Sequence, residues 1–258
     1  MSTRKSLTLG AGFCLSTVVI SILTLPGCGG RSSSSLSTGG SGGVGVPPSF
    51  LVFTANANGG VSAFVATGTG TLAQVSSSPF TAGTSPFAVA SDPSGKFLFV
   101  ANFSSGDVSA YTISSSDGAL IPVIGSPFTA GTAPLSIAVD PSGKFVFVGN
   151  QNSNNVSAFA VGANGTLTQV VGSPFATDVV PRSVAVDRSG KYLYVATGAG
   201  TISAFSIDST SGVLSVVTGS PFATDPSITS LKASPVAAAC PCSWLTAVHR
   251  RRLRTFLA

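Results

Sequence analysis

Asp140-Pro141-Ser142-Gly143-Lys144-Phe145-Val146-Phe147-Val148-Gly149-Asn150 decides the fold. Its first four residues form a type I turn: Asp bonds the backbone, Pro presets φ at the second position, and Gly ends the turn. The run Phe145–Val148 is apolar at every position, whereas a strand in a sheet with one wet face alternates. Both faces of this strand are therefore covered. The turn and strand recur with little change at Asp92 and at Asp187.

Working outward, two more markers keep the same period. Ser-Pro-Phe begins at Ser78, Ser126, Ser173 and Ser220, and a Val/Ile-Ser-Ala-aromatic run begins at Val61, Val108, Val156 and Ile202. Three markers in one register make an internal repeat. Each unit parses into four short strands. In the unit containing Asp140 these are Leu135–Val139, Phe145–Val148, Val156–Val161 and Leu167–Val171. Asn152–Asn155 makes a loop, and Asn164-Gly165 is a hairpin turn. The first strands use small residues, as in Phe87-Ala88-Val89-Ala90, which suits a crowded inner edge. The expectation is an all-β protein, a β-propeller built from about four four-stranded blades over residues 49–235. An open β-solenoid is the rival architecture.

The run Pro-x-x-x-Ala-x-Asp-Pro-Ser-Gly-Lys-Phe-x-Phe-Val-x-Asn, with Val-Ser-Ala-Phe and Gly-x-Leu after it, resembles the lactonase-like, YVTN-type propeller repeats over residues 49 to about 226. The resemblance implies a ring of seven blades, yet this chain has material for about four. It also begins mid-blade, because Leu51–Asn56 matches a second strand and no first strand precedes it. Ser227–Lys232 stands where another first strand is due, and after it the turn pattern stops at Ala233-Ser234-Pro235. Closure of a small ring by pairing 227–232 with 50–56 competes with an incomplete arc. The arc is expected, because four wedges cut for a wider ring leave a gap and close packing resists large changes of angle.

The first 27 residues read as an export signal. Arg4 and Lys5 precede a mostly apolar stretch, Leu7 to Leu25, which closes in Leu25-Pro26-Gly27-Cys28. That ending resembles the lipobox of bacterial lipoproteins, with Pro26 an uncommon occupant, and implies lipid attachment at Cys28. A plain signal peptide or a retained membrane helix is the alternative. Residues 28–48, rich in Gly and Ser, then form a flexible tether. The expected location is the cell envelope, periplasmic or at the surface, anchored to the membrane by lipid.

Composition narrows the chemistry. Only 8% of residues are charged, every one of the eight acids is Asp, and the single His is His249, so groups for acid–base catalysis are few. The net charge of +5 falls to +3 without Arg4 and Lys5, and to −1 when Arg250, Arg251, Arg252 and Arg254 are also set aside. No basic field covers the repeats, which excludes nucleic acid as a partner. The tail, 236–258, holds the only Trp and the only His and reads as a truncated or out-of-frame end, with a basic partner-binding segment as the alternative. Cys240 and Cys242 are too close for Cys-x-x-Cys metal spacing, so no metal or cofactor is expected. Gly-Thr-Gly-Thr around Gly70 lacks the helix that an anion-binding loop requires.

Asp92, Asp140 and Asp187 repeat with the turn and are read as structural. The candidate ligand-binding residues are Arg182, Asn102 and Asn150. In lactonase-like enzymes a similar Pro-Arg-His starts a first strand near the central channel. Here Pro181 and Arg182 match and Ser183 stands in place of His, which counts against hydrolysis. Arg182 suits an anionic ligand, or is a surface residue. Asn102 and Asn150 end second strands, lining the same rim or capping turns. The leading expectation is a lipid-anchored, non-catalytic module for a protein, glycan or small-molecule ligand. The alternatives are a carbohydrate-lactone hydrolase of the 6-phosphogluconolactonase-like kind and a relic without function.

Overall fold

The computed structural model describes residues 20–24, 50–67, 70–225 and 227–234. They form four antiparallel sheets, each a blade. The first contains β1 (Ile20–Thr24), β2 (Phe50–Ala55), β3 (Val61–Ala66) and β4 (Leu72–Gln74). The second contains β5 (Pro86–Ser91), β6 (Phe97–Asn102), β7 (Asp107–Ile113), β8 (Leu120–Pro122) and the short β9 (Phe128–Thr129). The third contains β10 (Pro134–Val139), β11 (Phe145–Asn150), β12 (Asn155–Val161), β13 (Leu167–Gln169) and β14 (Phe175–Ala176). The fourth contains β15 (Pro181–Val186), β16 (Tyr192–Thr197), β17 (Thr201–Ile207), β18 (Leu214–Val216) and β19 (Phe222–Ala223). Each short fifth strand pairs back to the third strand of its blade.

The apolar second strands are covered on both faces, as their sequence requires. Leu51, Phe53 and Ala55 pack against Val89, Leu98 and Val100 of the next blade. Phe97, Phe99 and Ala101 pack in the same way against Ile137, Val146 and Val148, and Phe145 and Phe147 against Val184, Leu193 and Val195. One strand thus feeds two cores, with alternate side chains going to the preceding and the following blade. Burying one such Phe contributes roughly 1.5–3 kcal/mol. The first strands β5, β10 and β15 lie against one another across blades and form the inner edge.

Two markers have defined jobs. The hydroxyls of Ser78, Ser126, Ser173 and Ser220 accept the backbone N–H of Ala63, Ala110, Ala158 and Ala204, tying each connection to its third strand at 2.9–3.0 Å. The Ser-Pro bonds that follow are cis. In the turn, Asp140 accepts the N–H of Phe145 at 2.7 Å and that of Ser142 at 3.0 Å, and Gly143 takes φ +73° to finish it. Asp92 and Asp187 repeat the arrangement.

The blades form an open arc: β2 pairs with β1 and β3, and 227–232 does not pair with it. One expectation is corrected. The first blade does not lack a first strand, because Ile20–Thr24, inside the segment read as an export signal, fills that position antiparallel to β2. The physical reason is a run of β-branched residues, Ile20, Ile22 and Thr24, meeting an otherwise unpaired strand edge. At the other end the Leu231 N–H donates to Ser183 Oγ at 3.1 Å, and the Val184 N–H donates to Ser136 Oγ at 3.0 Å, each 48 residues apart. Leu231 therefore repeats the place of Val184, and 227–234 lies where the first strand of a further blade begins. Cys28, the tether from 29 to 47 and the tail with Cys240, Cys242 and His249 lie outside the described residues.

Candidate functional site

The start of each first strand lies beside the end of the second strand, as Pro134 pairs with Asn150 and Pro181 with Thr197. One end of the arc therefore gathers the strand starts, the turns between second and third strands, and the connections that follow Ser-Pro-Phe. Register slips at Pro86/Ala88, Pro134/Ser136 and Pro181/Ser183. Each bulge leaves one unpaired residue, Phe87, Leu135 or Arg182, next to the inner edge.

The three bulges differ in chemistry. The Phe87 ring packs on Phe103 with centroids 6.0 Å apart. In the fourth blade Arg182 stands in the place of Phe87 and Gly198 in that of Phe103. An added Cβ at Gly198 would come 2.9 Å from Val180 Cβ and 3.3 Å from Arg182 Nε, so the glycine gives room first to Val180 and then to the guanidinium. The other described cations at blade ends, Lys96, Lys144, Arg188 and Lys191, sit in the opposite turns. Arg182 lies at this rim, and Lys232, next to the Leu231 that bonds Ser183, is the remaining described cation.

Asn102 and Asn150 are fully buried. The Asn102 amide donates to Asp107 Oδ1 at 2.7 Å and Ser109 Oγ at 2.9 Å. Asn150 donates to Asn155 Oδ1 at 2.8 Å and Ser157 Oγ at 2.9 Å, and accepts from the Gly131 N–H at 3.2 Å. Gly83 and Gly131 lie directly over the two amides, where an added Cβ would come within 2.6 Å. None of these bonds reaches Arg182. They hold the turns of their own blades.

The fourth blade solves the same turn differently. Asp178 replaces the covering glycine and Thr197 replaces the asparagine. The Thr201 hydroxyl donates to Asp178 Oδ2 at 2.7 Å and lies 2.7 Å from the Thr197 hydroxyl. The Thr201 hydroxyl, followed by the Val179 N–H, holds the Asp178 carboxyl below its ordinary range against a small opposing effect of burial. Asp178 and Asp225 each end a Ser-Pro-Phe-Ala-Thr-Asp run, which by itself marks only a loop. Lining up the repeats shows the paired exchange of Gly and Asn for Asp and Thr, and that was the available signal.

Every Asp is engaged by neighbours. Besides those above, Asp117 accepts the Ala119 N–H, Asp208 accepts the N–H groups of Thr210 and Ser211, and Asp225 accepts the Ser227 N–H. Ser183, where a His stands in lactonase-like enzymes, accepts the Leu231 N–H.

Comparison with known proteins agrees with this architecture. The family model described as lactonase, 7-bladed beta-propeller, matches residues 47–126 and 116–229. The chain belongs to this family. Among solved structures, this lactonase-family chain is similar to a candidate 6-phosphogluconolactonase from Bacteroides uniformis, with 25% identity and a TM-score of 0.60 over 68% of this chain and 52% of that one. It is also similar to a candidate 6-phosphogluconolactonase from Bacteroides fragilis, with 24% identity and a TM-score of 0.58 over 69% and 52%. A third is the periplasmic gluconolactonase of Pseudomonas aeruginosa, with 21% identity and a TM-score of 0.54 over 67% and 52%. The chain spans about half the length of these structures. No curated protein matches it.

Proposed function

We propose that this lactonase-family chain is a binding module rather than a hydrolase, anchored at the cell envelope through lipid on Cys28, and that its rim at Arg182 holds an anionic ligand such as a sugar acid or an acidic glycan. The observation that carries the reading is the engagement of the carboxylates. All eight Asp accept hydrogen bonds from nearby backbone or side-chain donors, five of them titrate below the ordinary range, and the sequence has no Glu. A general base works best with a pKa near the operating pH, and carboxyls held down by donors are poorly matched to that task. Arg182 supplies five fixed donors, suited to a planar carboxylate or a phosphate.

A second reading, hydrolysis of a sugar lactone, draws on the family match and the three similar structures. Rates of glucono-lactone and 6-phosphogluconolactone opening separate the two. The purified protein should match the buffer rate, and Arg182→Ala should leave it unchanged. Turnover clearly above buffer and lost on that substitution would overturn the binding reading. For the anchor, Cys28→Ala should move the protein from the membrane to the soluble fraction, because lipid there is the hydrophobic attachment remaining after cleavage. Retention on membranes through a high-salt wash would refute the lipid anchor.

A further inference from the structure

The connection that leads to Arg182 is held differently from its counterparts. The turn between second and third strands runs from Asn102 to Asp107 and from Asn150 to Asn155 in the two blades before, but from Thr197 to Thr201 in the fourth, one residue shorter. Each longer turn holds a serine, Ser105 or Ser153, whose hydroxyl accepts the N–H of Thr84 or Thr132 in the adjoining connection at 3.1 Å. The fourth turn reads Gly198-Ala199-Gly200 and offers no hydroxyl. Its connection is tied from two other directions. Asp178 Oδ1 accepts the Val179 N–H at 2.8 Å, and Asn154 Oδ1, from the turn of the third blade, accepts the Val180 N–H at 2.7 Å.

Asn154 is itself an exchange. Gly106 and Gly200 fill its place in the second and fourth blades, and all three residues are left-handed, with φ of +51°, +72° and +75°. Their carbonyls do the same work, accepting the N–H of Thr177, Ala130 and Thr224 at 3.1, 3.0 and 2.8 Å. Glycine therefore suffices for the turn, and what asparagine adds is the bond to Val180. Val180 is a β-branched residue at φ +58°, where the earlier blades place Ser85 and Ala133, and a branched side chain disfavours that conformation. Its carbonyl accepts the Gly198 N–H at 2.8 Å, so its two polar groups are tied, one to the third blade and one to the fourth. Pro181 follows with its φ fixed by the ring, and Arg182 leaves the chain at the bulge directly after it.

We propose that Asn154 is a positioning residue for Arg182: it reaches across the blade boundary, clamps Val180, and so sets the direction from which the guanidinium meets an anion. The proposal rests on the reading of Arg182 as the anion-holding residue. The Asn154 bond is exposed, so water can replace it and its loss leaves the fold intact. The same loss frees the backbone ahead of Arg182, and a net hydrogen bond of ordinary strength is worth about two- to tenfold in affinity.

The test uses the full chain, expressed with its leader and extracted in detergent, titrated calorimetrically with sodium gluconate at low ionic strength. Arg182→Ala should abolish binding. Asn154→Gly installs the residue of the neighbouring blades, so the urea midpoint should hold, the affinity should fall about two- to tenfold, and the NMR signal of the Arg182 Nε–H should shift or broaden before any ligand is added. Val180→Ala copies Ala133 and keeps both backbone bonds, so it should bind as wild type. In Asn154→Gly, an unchanged affinity, an unchanged Arg182 signal, or a midpoint that falls together with the affinity overturns the positioning role alone. A wild-type chain that does not bind gluconate, or that binds it equally after Arg182→Ala, overturns the reading of Arg182 and the proposal with it.

Discussion

Removing the carboxylate of Asp140 should destabilise the fold about three times more than removing that of Asp187, although the two turns share a sequence pattern. Asp140 is 4% exposed and holds the Phe145 N–H at 2.7 Å in a buried setting. In Asp140→Ala that donor loses its partner where water cannot replace it, a cost of about 1–3 kcal/mol. The donors of Ser142 are exposed and can turn to water, adding about 0.5–1 kcal/mol. The total is about 3 kcal/mol. Asp187 makes the matching bonds to Ser189 and Tyr192 and one more to the Lys191 N–H, but Tyr192 is 41% exposed, so its donor rehydrates and the loss should be about 1 kcal/mol. Asp140→Asn, which keeps one acceptor, should fall between wild type and Ala. Urea unfolding followed by circular dichroism gives each midpoint and slope, and an unchanged slope lets the midpoint be read as stability. Equal losses for Asp140→Ala and Asp187→Ala would refute the argument from burial.

Two further outcomes follow from the same bonds. Ser173→Ala leaves the wholly buried Ala158 N–H without its acceptor, so the urea midpoint should drop by the equivalent of about 1–3 kcal/mol, whereas Ser173→Thr, which keeps the hydroxyl, should lose less. Stability should be flat near neutral pH and fall on both sides. In Asp187 the upward push of burial is outweighed by donors from Ser189, Tyr192 and Lys191, and Asp117, Asp178, Asp208 and Asp225 are likewise held down by their donors. Depressed carboxyls stabilise the fold above the ordinary aspartate range, about pH 4, and that stability is lost as pH falls through their folded values. On the alkaline side, burial raises the Tyr111 phenol, Ser109 opposes it and the charge of Asp107 adds to it. The folded state then holds its proton longer, and stability falls as pH rises past about 10. Urea midpoints from pH 2.5 to 11 check both limbs, and a midpoint that rises below pH 4 would contradict the first.

The fold was legible because its instructions are local and repeated. Asp140-Pro141-Ser142-Gly143 specifies a turn through its own backbone, and Phe145–Val148 announces two covered faces without reference to any other segment. The short strands at Phe128, Phe175 and Phe222 were read only as connections, since two residues are too few to show a period. The place of Ile20–Thr24 was hidden for a different reason. An apolar run after Arg4 and Lys5 satisfies an export signal and a strand equally well, and its pairing along β2 is visible only in three dimensions.

The rim was less legible than the scaffold. Asn102 and Asn150 follow strands in the manner of rim residues, and what buries them is a glycine from the preceding connection, Gly83 or Gly131, about twenty positions earlier. No spacing rule links such a pair. Arg182 is the reverse case: it is half-buried beside Gly198, where a side chain would crowd Val180 and then its guanidinium. Both outcomes turn on one contact between the connection or turn and the inner edge, and the blades vary that contact. The second strands hold large apolar or aromatic residues at the core positions, Phe in the middle blades, Leu51 with Phe53 in the first and Tyr192 with Tyr194 in the fourth, whereas the rim changes from Phe87–Phe103 to Arg182–Gly198 and from Gly–Asn to Asp178–Thr197. Exchange of polar for apolar groups at one end of a rigid scaffold suits a ligand-facing surface, and it makes the fourth blade, rather than the three before it, the place where a ligand should be sought.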